Sequence, residues 1–247
     1  LDIEYFFTDT GEELPEVYSY LVKLEGFLGK TINRLNSDKD FKYYFKLYGY
    51  FLPSSQQRWC TSKMKILPLE QWIRNDLEKG INITSYVAIR ADEPYREGHQ
   101  TKHKNYKVSL PFKEAGIDRK GVLDLLENSG LGIPSYYDWR SRSGCTFCFF
   151  QRKIEWVRLR ERHPEAFEQA KELENLSASA GNKFTWCDGE SLEDLEKPKR
   201  IQEIKVSYEK RRMQELKNKK VNPLDPDEYI DDDELFGQGK YCLSCHK

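Results

Sequence analysis

Cys145-Thr146-Phe147-Cys148 and Cys242-Leu243-Ser244-Cys245 each carry two thiols separated by two residues. Two thiolates at that spacing can ligate one metal centre from a tight turn, and two such pairs complete a four-thiolate shell. The plainer alternative leaves the thiols unligated and the terminal pair dangling. Cys60, flanked by Arg58 and Lys63, is a fifth candidate ligand, whereas Cys187 in Phe184-Thr185-Trp186-Cys187 reads as a hairpin residue. Arg90 and Arg96 straddle Glu93 at the end of a predicted strand. Guanidinium forks there suit bidentate phosphate recognition, or form a surface ion-pair group with Asp92, Glu93 and Glu97. Asp9-Thr10-Gly11 ends another predicted strand and offers a carboxylate, a hydroxyl and backbone N–H groups to a ligand, with a helix N-terminus behind them. Capping explains the same residue types, with Thr10 as N-cap and Glu13 three residues on. Gly237-Gln238-Gly239-Lys240 lacks the spacing of a P-loop, and no Ser-His-Asp arrangement stands out. His163 before Pro164 reads as a helix-end residue, and His99 and His103 have no matching partner.

The elements that must hold these groups follow from pattern. Residues 3–7 read as a buried strand, a turn follows at 8–11, and 12–28 has helical periodicity with Pro15 acceptable in the first turn. A strand, a turn and a helix in that order are the signature of an α/β layer, where ligands sit at the carboxyl ends of strands. An aromatic, basic segment spans 41–51, a helix is expected at 69–77 and a second strand at 83–89. A third strand is expected at 104–110 and a short helix at 118–128. From Trp139 a polar loop delivers the first cysteine pair. Helices follow at 155–163 and 165–175, then a small-residue linker at 177–183 and a charged helix at 201–220. That last helix reads as a solvated face, with a nucleic-acid surface as the sharper alternative. The acidic stretch 225–234 reads as exposed or disordered.

The chain has 247 residues, 40 Lys and Arg against 41 Asp and Glu, and a net charge of −1. Near-neutrality argues against coating nucleic acid through bulk charge but leaves room for a local basic patch. A mean hydropathy of −0.80 and short apolar runs exclude a transmembrane helix, and 13% aromatic residues exclude a disordered or collagen-like chain. A cytoplasmic protein with no membrane partner is expected, and structural disulfides are not. The chain opens at Leu1 on an apolar strand, so a first strand and helix are expected upstream.

Taken in order, these segments resemble the phosphoadenosine phosphosulfate reductase family, a branch of the N-type ATP pyrophosphatases. Thr8-Asp9-Thr10-Gly11 followed by Pro15-Glu16 is similar to the family's DTG…PE turn. Arg58-Trp59-Cys60-Thr61-Ser62-Lys63-Met64-Lys65-Ile66-Leu67-Pro68-Leu69 resembles a cluster-bearing CC-x-x-R-K-V-x-P-L segment, with Trp59 in place of the first cysteine. Ile89-Arg90 through Glu93 to Arg96 resembles the family's phosphate segment, and Arg142-Ser143-Gly144-Cys145-Thr146-Phe147-Cys148 its closing pattern.

The resemblance implies a Rossmann-like (adenine nucleotide alpha-hydrolase-like) parallel sheet flanked by helices. A nucleotide-binding domain at 1–150 would precede a helical region at 151–247 that ends in the metal-binding cysteines. The family's Ser-Gly-Gly-x-Asp-Ser phosphate loop is not in this sequence, and its place would be upstream of Leu1. The nearest branch is the ATP pyrophosphatases of DNA phosphorothioation, of the DndC and SspD type, which split ATP to AMP and pyrophosphate. The implied cofactors are ATP with Mg²⁺ and a [4Fe-4S] cluster, or alternatively Zn²⁺. Cys60, Cys145, Cys148, Cys242 and Cys245 are the implied ligands. Arg90, Arg96 and Lys63 would meet phosphate charge, and Asp9, Thr10 and Gly11 would line the nucleotide pocket. DNA, reached through partner proteins, and a cysteine desulfurase as sulfur source are the implied partners. A sulfonucleotide reductase releasing sulfite, a tRNA-thiolating pyrophosphatase and a non-catalytic metal-stapled scaffold are the alternatives.

Overall fold

The aromatic run after Glu4 forms the first strand because alternate side chains of a pleated chain can be shielded on a sheet face. In the computed structural model the described residues are 3–218, apart from Gln100, Lys102, Ser143 and Asp188. The chain runs β1 (Tyr5–Asp9), α1 (Pro15–Leu28), β2 (Ile32–Asn36), α2 (Phe41–Leu47), α3 (Trp59–Thr61), a π-helical turn (Ser62–Ile66) and α4 (Leu67–Glu78). It continues with β3 (Ile83–Tyr86), β4 (Tyr106–Ser109), α5 (Pro111–Glu114), α6 (Arg119–Asn128) and a 3₁₀ turn (Ser135–Asp138). The last helices are α7 (Lys153–Arg162), α8 (Pro164–Ser179), α9 (Leu192–Leu195) and α10 (Pro198–Asn218). Among the described residues, no helix is long and apolar enough to cross a membrane. The acidic stretch 225–234 and the terminal cysteine pair lie outside the described residues.

The described chain divides into two units, one of residues 3–41 and 58–135, the other of residues 42–57 and 136–218. The first unit is the mixed α/β one. Its strands form two parallel pairs, β1 with β2 (Tyr5 opposite Ile32, Asp9 opposite Asn36) and β3 with β4 (Ile83 opposite Tyr106). A parallel pair needs a crossover, and α1 supplies it for the first pair. Gly29 in the left-handed region ends α1, and the Glu25 carboxylate accepts the Ile32 N–H at 2.8 Å where β2 begins. One parallel sheet was expected, and two short ladders are found. They share a core beneath α4. Leu69, Ile73 and Leu77, four residues apart, pack with Tyr106 against Phe6, Leu35, Ile83 and Val108 from all four strands.

The second unit is helical and built around tryptophan. Trp139, Trp156 and Trp186 are fully or nearly buried with Phe147, Phe167, Leu159 and Leu173. The Trp186 ring lies 5.4 Å from Phe147 and 6.0 Å from Trp156. Two buried carboxylates close its loops. Glu174 of α8 accepts the backbone N–H groups of Trp186 at 2.9 Å and Leu192 at 2.6 Å. Glu155 of α7 accepts those of Ser141 at 2.5 Å and Arg152 at 3.0 Å. Such bonds satisfy loop amides that burial would otherwise strand.

Candidate functional site

Asp9 ends β1 and is buried. Its Oδ1 accepts the Gly11 N–H at 2.8 Å and the Tyr18 hydroxyl of α1 at 2.8 Å, which fixes the carboxylate. Gly11 has φ 73°, so a side chain there would be strained. Among the described residues, Oδ2 of Asp9 has no hydrogen-bond partner, leaving one acceptor for a ligand. Burial, together with the Asp9 carboxylate, pushes the Tyr18 phenol well above its usual range, so Tyr18 is a donor at every physiological pH. The expected capping box is not formed. Pro15 is the first helical residue and Leu14 its cap, so Thr10 lies too far ahead to serve. The Thr10 hydroxyl instead donates to Glu13 Oε1 at 3.0 Å and accepts the Glu12 N–H at 3.4 Å, both inside the turn.

Lys63 stands on the π-helical turn, between buried Met64 and Trp59, which anchor that segment. One-turn π segments recur at functional sites because the extra residue re-aims a side chain. The turn packs against β1 and β2. Lys63 is half-buried, and among the described residues it has no ion-pair partner. Cys60, half-buried in α3, is outside any disulfide.

The 90–96 loop follows β3. Arg90 Nε donates to Asp92 Oδ1 at 2.9 Å, and its backbone N–H donates to Glu93 Oε2 at 3.2 Å. The other Glu93 oxygen accepts from Arg96. Burial opposes charge on Glu93, but the Arg96 bond and the two guanidinium charges outweigh it and hold the carboxyl below its usual range. Lys113 of α5 braces the loop by donating to the carbonyls of Pro94 at 2.8 Å and Arg96 at 2.6 Å. Of the two expectations for this segment, the ion-pair group forms, with Asp92 and Glu93. Ion pairs orient the arginines, while the two terminal nitrogens of Arg90 carry no hydrogen bond among the described residues. Glu97 takes no part in the pairs that orient Arg90.

Cys145 and Cys148 sit half-buried on one turn of the second unit, outside any disulfide. The turn is held by its carbonyls. Arg140, 1% exposed, donates to Gly144 at 3.3 Å and Cys145 at 2.9 Å. The Gln151 side chain donates to Thr146 at 2.9 Å, and its backbone N–H donates to Cys148 at 2.9 Å. Burial opposes charge on Glu155, yet Arg152 and the bonds from Ser141 keep its carboxyl below the usual range. Two thiols at this spacing on a braced turn can supply half of a four-thiolate shell. Among the described residues no group of three or more Cys, His, Asp or Glu side chains gathers as a metal site, and Cys242 and Cys245 lie outside those residues. Cys187 pairs with Glu190 in a hairpin-like bridge, and burial raises its thiol far above the usual value, which makes it inert.

The structure thus groups the predicted residues into a strand-end carboxylate turn, a lysine on a π turn, an arginine loop and a dithiol turn. The first three belong to one unit, as does Cys60; the dithiol turn belongs to the other. Sequence reasoning missed Tyr18, Lys113, Arg140 and Gln151. Only Arg140 offered a signal, as the arginine that follows Trp139 at the start of the polar loop that delivers the cysteines.

No protein-family model matches the chain, and no solved structure does. Among curated proteins it is similar to uncharacterized protein MJ0066 of Methanocaldococcus jannaschii, 25% identical over 173 residues, or 68% of this chain and 35% of the relative. It is also similar to uncharacterized protein MJ0973 of the same organism, 25% identical over 177 residues, or 68% of this chain and 40% of the relative. The matched part of each relative is well under two thirds of its length, and these likenesses assign no activity.

Proposed function

We propose that the protein is an ATP pyrophosphatase that activates a nucleic-acid backbone, by preference DNA, for sulfur incorporation. The observation that carries this reading is Arg90, held through its Nε and backbone beside Glu93 with its terminal nitrogens open. A guanidinium fixed in this way presents a fork to phosphate without the cost of ordering a flexible side chain on binding. Asp9, Thr10 and Gly11 close a second strand end, where a nucleotide or its Mg²⁺ would meet the open Asp9 oxygen. Lys63 and Arg96 add positive charge for the pyrophosphate.

In this reading a backbone phosphate oxygen attacks the α-phosphorus of ATP. The bond from that phosphorus to the α,β-bridging oxygen breaks, and pyrophosphate leaves with the charge that Arg90 and Mg²⁺ stabilise. The terminal sulfur of a persulfide from a cysteine desulfurase then displaces AMP from the activated phosphate, and a thiol reductant cleaves the S–S bond to the carrier, leaving the phosphorothioate and a carrier thiol. Cys145 and Cys148, with Cys60, Cys242 and Cys245 as the remaining candidates, would hold an iron–sulfur cluster or Zn²⁺. A cluster would supply sulfur or electron chemistry, and zinc would supply a staple.

The test is pyrophosphate release from ATP by full-length protein with Mg²⁺, with DNA, with tRNA and without nucleic acid. DNA-stimulated release of AMP and pyrophosphate, lost at least tenfold in Arg90→Ala, is the expected result. Stimulation by tRNA alone would redirect the reading to tRNA thiolation. Sulfite release from a sulfonucleotide with a thiol reductant, and none of these ATP products, would replace it with a reductase.

A further inference from the structure

Between Asp40 and Glu70 the sequence contains no carboxylate, while Lys42, Lys46, Arg58, Lys63 and Lys65 fall within it among many aromatic residues. In a chain with 41 acidic residues such a gap is a local charge feature, and α2 sorts it by face. Phe41, Tyr44 and Phe45 are buried, while Lys42, Tyr43, Lys46 and Leu47 are exposed, Tyr43 at 47%. Lys42 and Lys46, four residues apart, lie on one side of the helix, and among the described residues neither has an ion-pair partner.

The turn after α2 is built to extend this surface. Tyr50 has φ 58°, and among the described residues no other non-glycine residue has a positive φ. A bulky residue holds that conformation only where its surroundings enforce it. Here the Tyr50 N–H donates to Phe45 at 2.8 Å, and Asn182 donates to the carbonyls of Gly49 at 3.0 Å and Tyr50 at 3.1 Å. The Asn182 clamp brings the following two residues alongside. Lys183 is exposed without an ion-pair partner among the described residues, and the half-exposed Phe184 ring lies 5.7 Å from Phe51.

We propose that this surface binds an unpaired nucleic-acid strand, with bases stacking on Tyr43 and Phe184 and phosphates meeting Lys42, Lys46 and Lys183. Aromatic faces interleaved with unpaired cations are what a single strand needs, because every base has a stacking face and every linkage a charge. Duplex DNA hides its base faces, so the aromatic residues would gain little from it. An acidic protein would satisfy the lysines but give the exposed rings no partner. The inference deepens the proposed nucleic-acid chemistry and takes its biological sense from that reading, but strand binding itself can be measured apart from ATP cleavage.

The experiment is fluorescence anisotropy of a labelled oligothymidylate with full-length protein across a salt series. Duplex DNA of matching length and anionic phosphatidylglycerol vesicles serve as competing probes. Lys42→Gln/Lys46→Gln/Lys183→Gln is expected to weaken single-strand binding at least tenfold and to reduce the salt slope by about 2, from about 0.7 for each lost phosphate contact. Tyr43→Ala/Phe184→Ala is expected to weaken it about tenfold and leave the slope unchanged. Unaltered melting temperatures establish that the variants fold. Wild-type protein that ignores the single strand, or variants that bind it like wild type, would overturn the inference. So would a duplex or vesicle preference abolished by the same substitutions. ATP binding without nucleic acid, measured by calorimetry on the same preparations, separates the two readings. Its absence with intact strand binding breaks the ATP proposal alone, and its presence with unmoved strand binding breaks this one alone.

Discussion

The arginine loop of the first unit and the dithiol turn of the second use the same polar chemistry in opposite ways. At the dithiol turn, the side chains of Arg140 and Gln151 are spent on backbone carbonyls, so the charged group is scaffold and the thiols are the product. In the 90–96 loop the scaffold is Glu93 and Lys113, and the guanidiniums are the product. Burial tracks this division. Arg140 and Glu155 are almost wholly enclosed, whereas the Arg90 and Arg96 side chains are 20% and 38% exposed. A charge withdrawn from water supports structure; one left at its edge is available to a ligand.

That contrast can be broken by removing one scaffold at a time. The largest effect is expected from Glu155→Ala, which strands the Ser141 and Arg152 amides and a neighbouring guanidinium. Urea unfolding should show a loss of about 4 kcal/mol, with Cys145 and Cys148 reacting faster with a thiol reagent. A loss under about 1 kcal/mol with unchanged thiol reactivity would show that the loop does not depend on Glu155. In the first unit the comparable lesion is apolar. Ile73→Ala opens the core shared by both strand pairs and should cost about 3 kcal/mol by the same measurement.

A pH series sharpens the comparison within the second unit, because its two buried carboxylates are shifted in opposite directions. The Glu155 carboxyl is depressed, so its contribution is fully present above the ordinary carboxylate value and is lost as pH falls through the native one. The Glu174 carboxyl is raised, chiefly by burial, against the bonds from Leu192 and Trp186. Its burial penalty is absent below the ordinary value and grows as pH rises toward the native one. Urea midpoints between about pH 3 and 7 should therefore show a shallower acid-side loss in Glu155→Gln than in wild type. An unchanged acid limb would place the titration elsewhere.

Much of the architecture was legible. The strand-turn-helix opening, the helix over the shared core, the strand before Arg90 and the paired helices around Pro164 follow from apolar spacing and proline position. Strand β2 was not, because Ile32-Asn33-Arg34-Leu35-Asn36 buries only Ile32 and its pattern resembles a polar loop. The single expected sheet became two ladders because hydrogen-bond pairing between strands far apart in sequence has no local signature. Of the site, residue types were readable and support was not. Glu93 appeared only as an arginine neighbour, and the Tyr18 bond to Asp9 depends on where α1 begins, which Pro15 sets later than the capping pattern suggested.

The smallest stability effect and the most selective functional one are expected together, at Glu93. Its carboxylate bonds to the Arg90 backbone and the Arg96 side chain near the surface, where such pairs contribute about 1 kcal/mol or less. Glu93→Gln should therefore barely move the urea midpoint. It leaves both guanidiniums charged but removes the charge that aims them, so ATP affinity by calorimetry should fall several-fold. Because Arg96 and Arg90 hold the carboxyl below its usual range, wild-type affinity should also persist into acid until that range is passed. Undiminished affinity in Glu93→Gln would mean that the arginines orient themselves, and the scaffold role would return to Asp92 and Lys113.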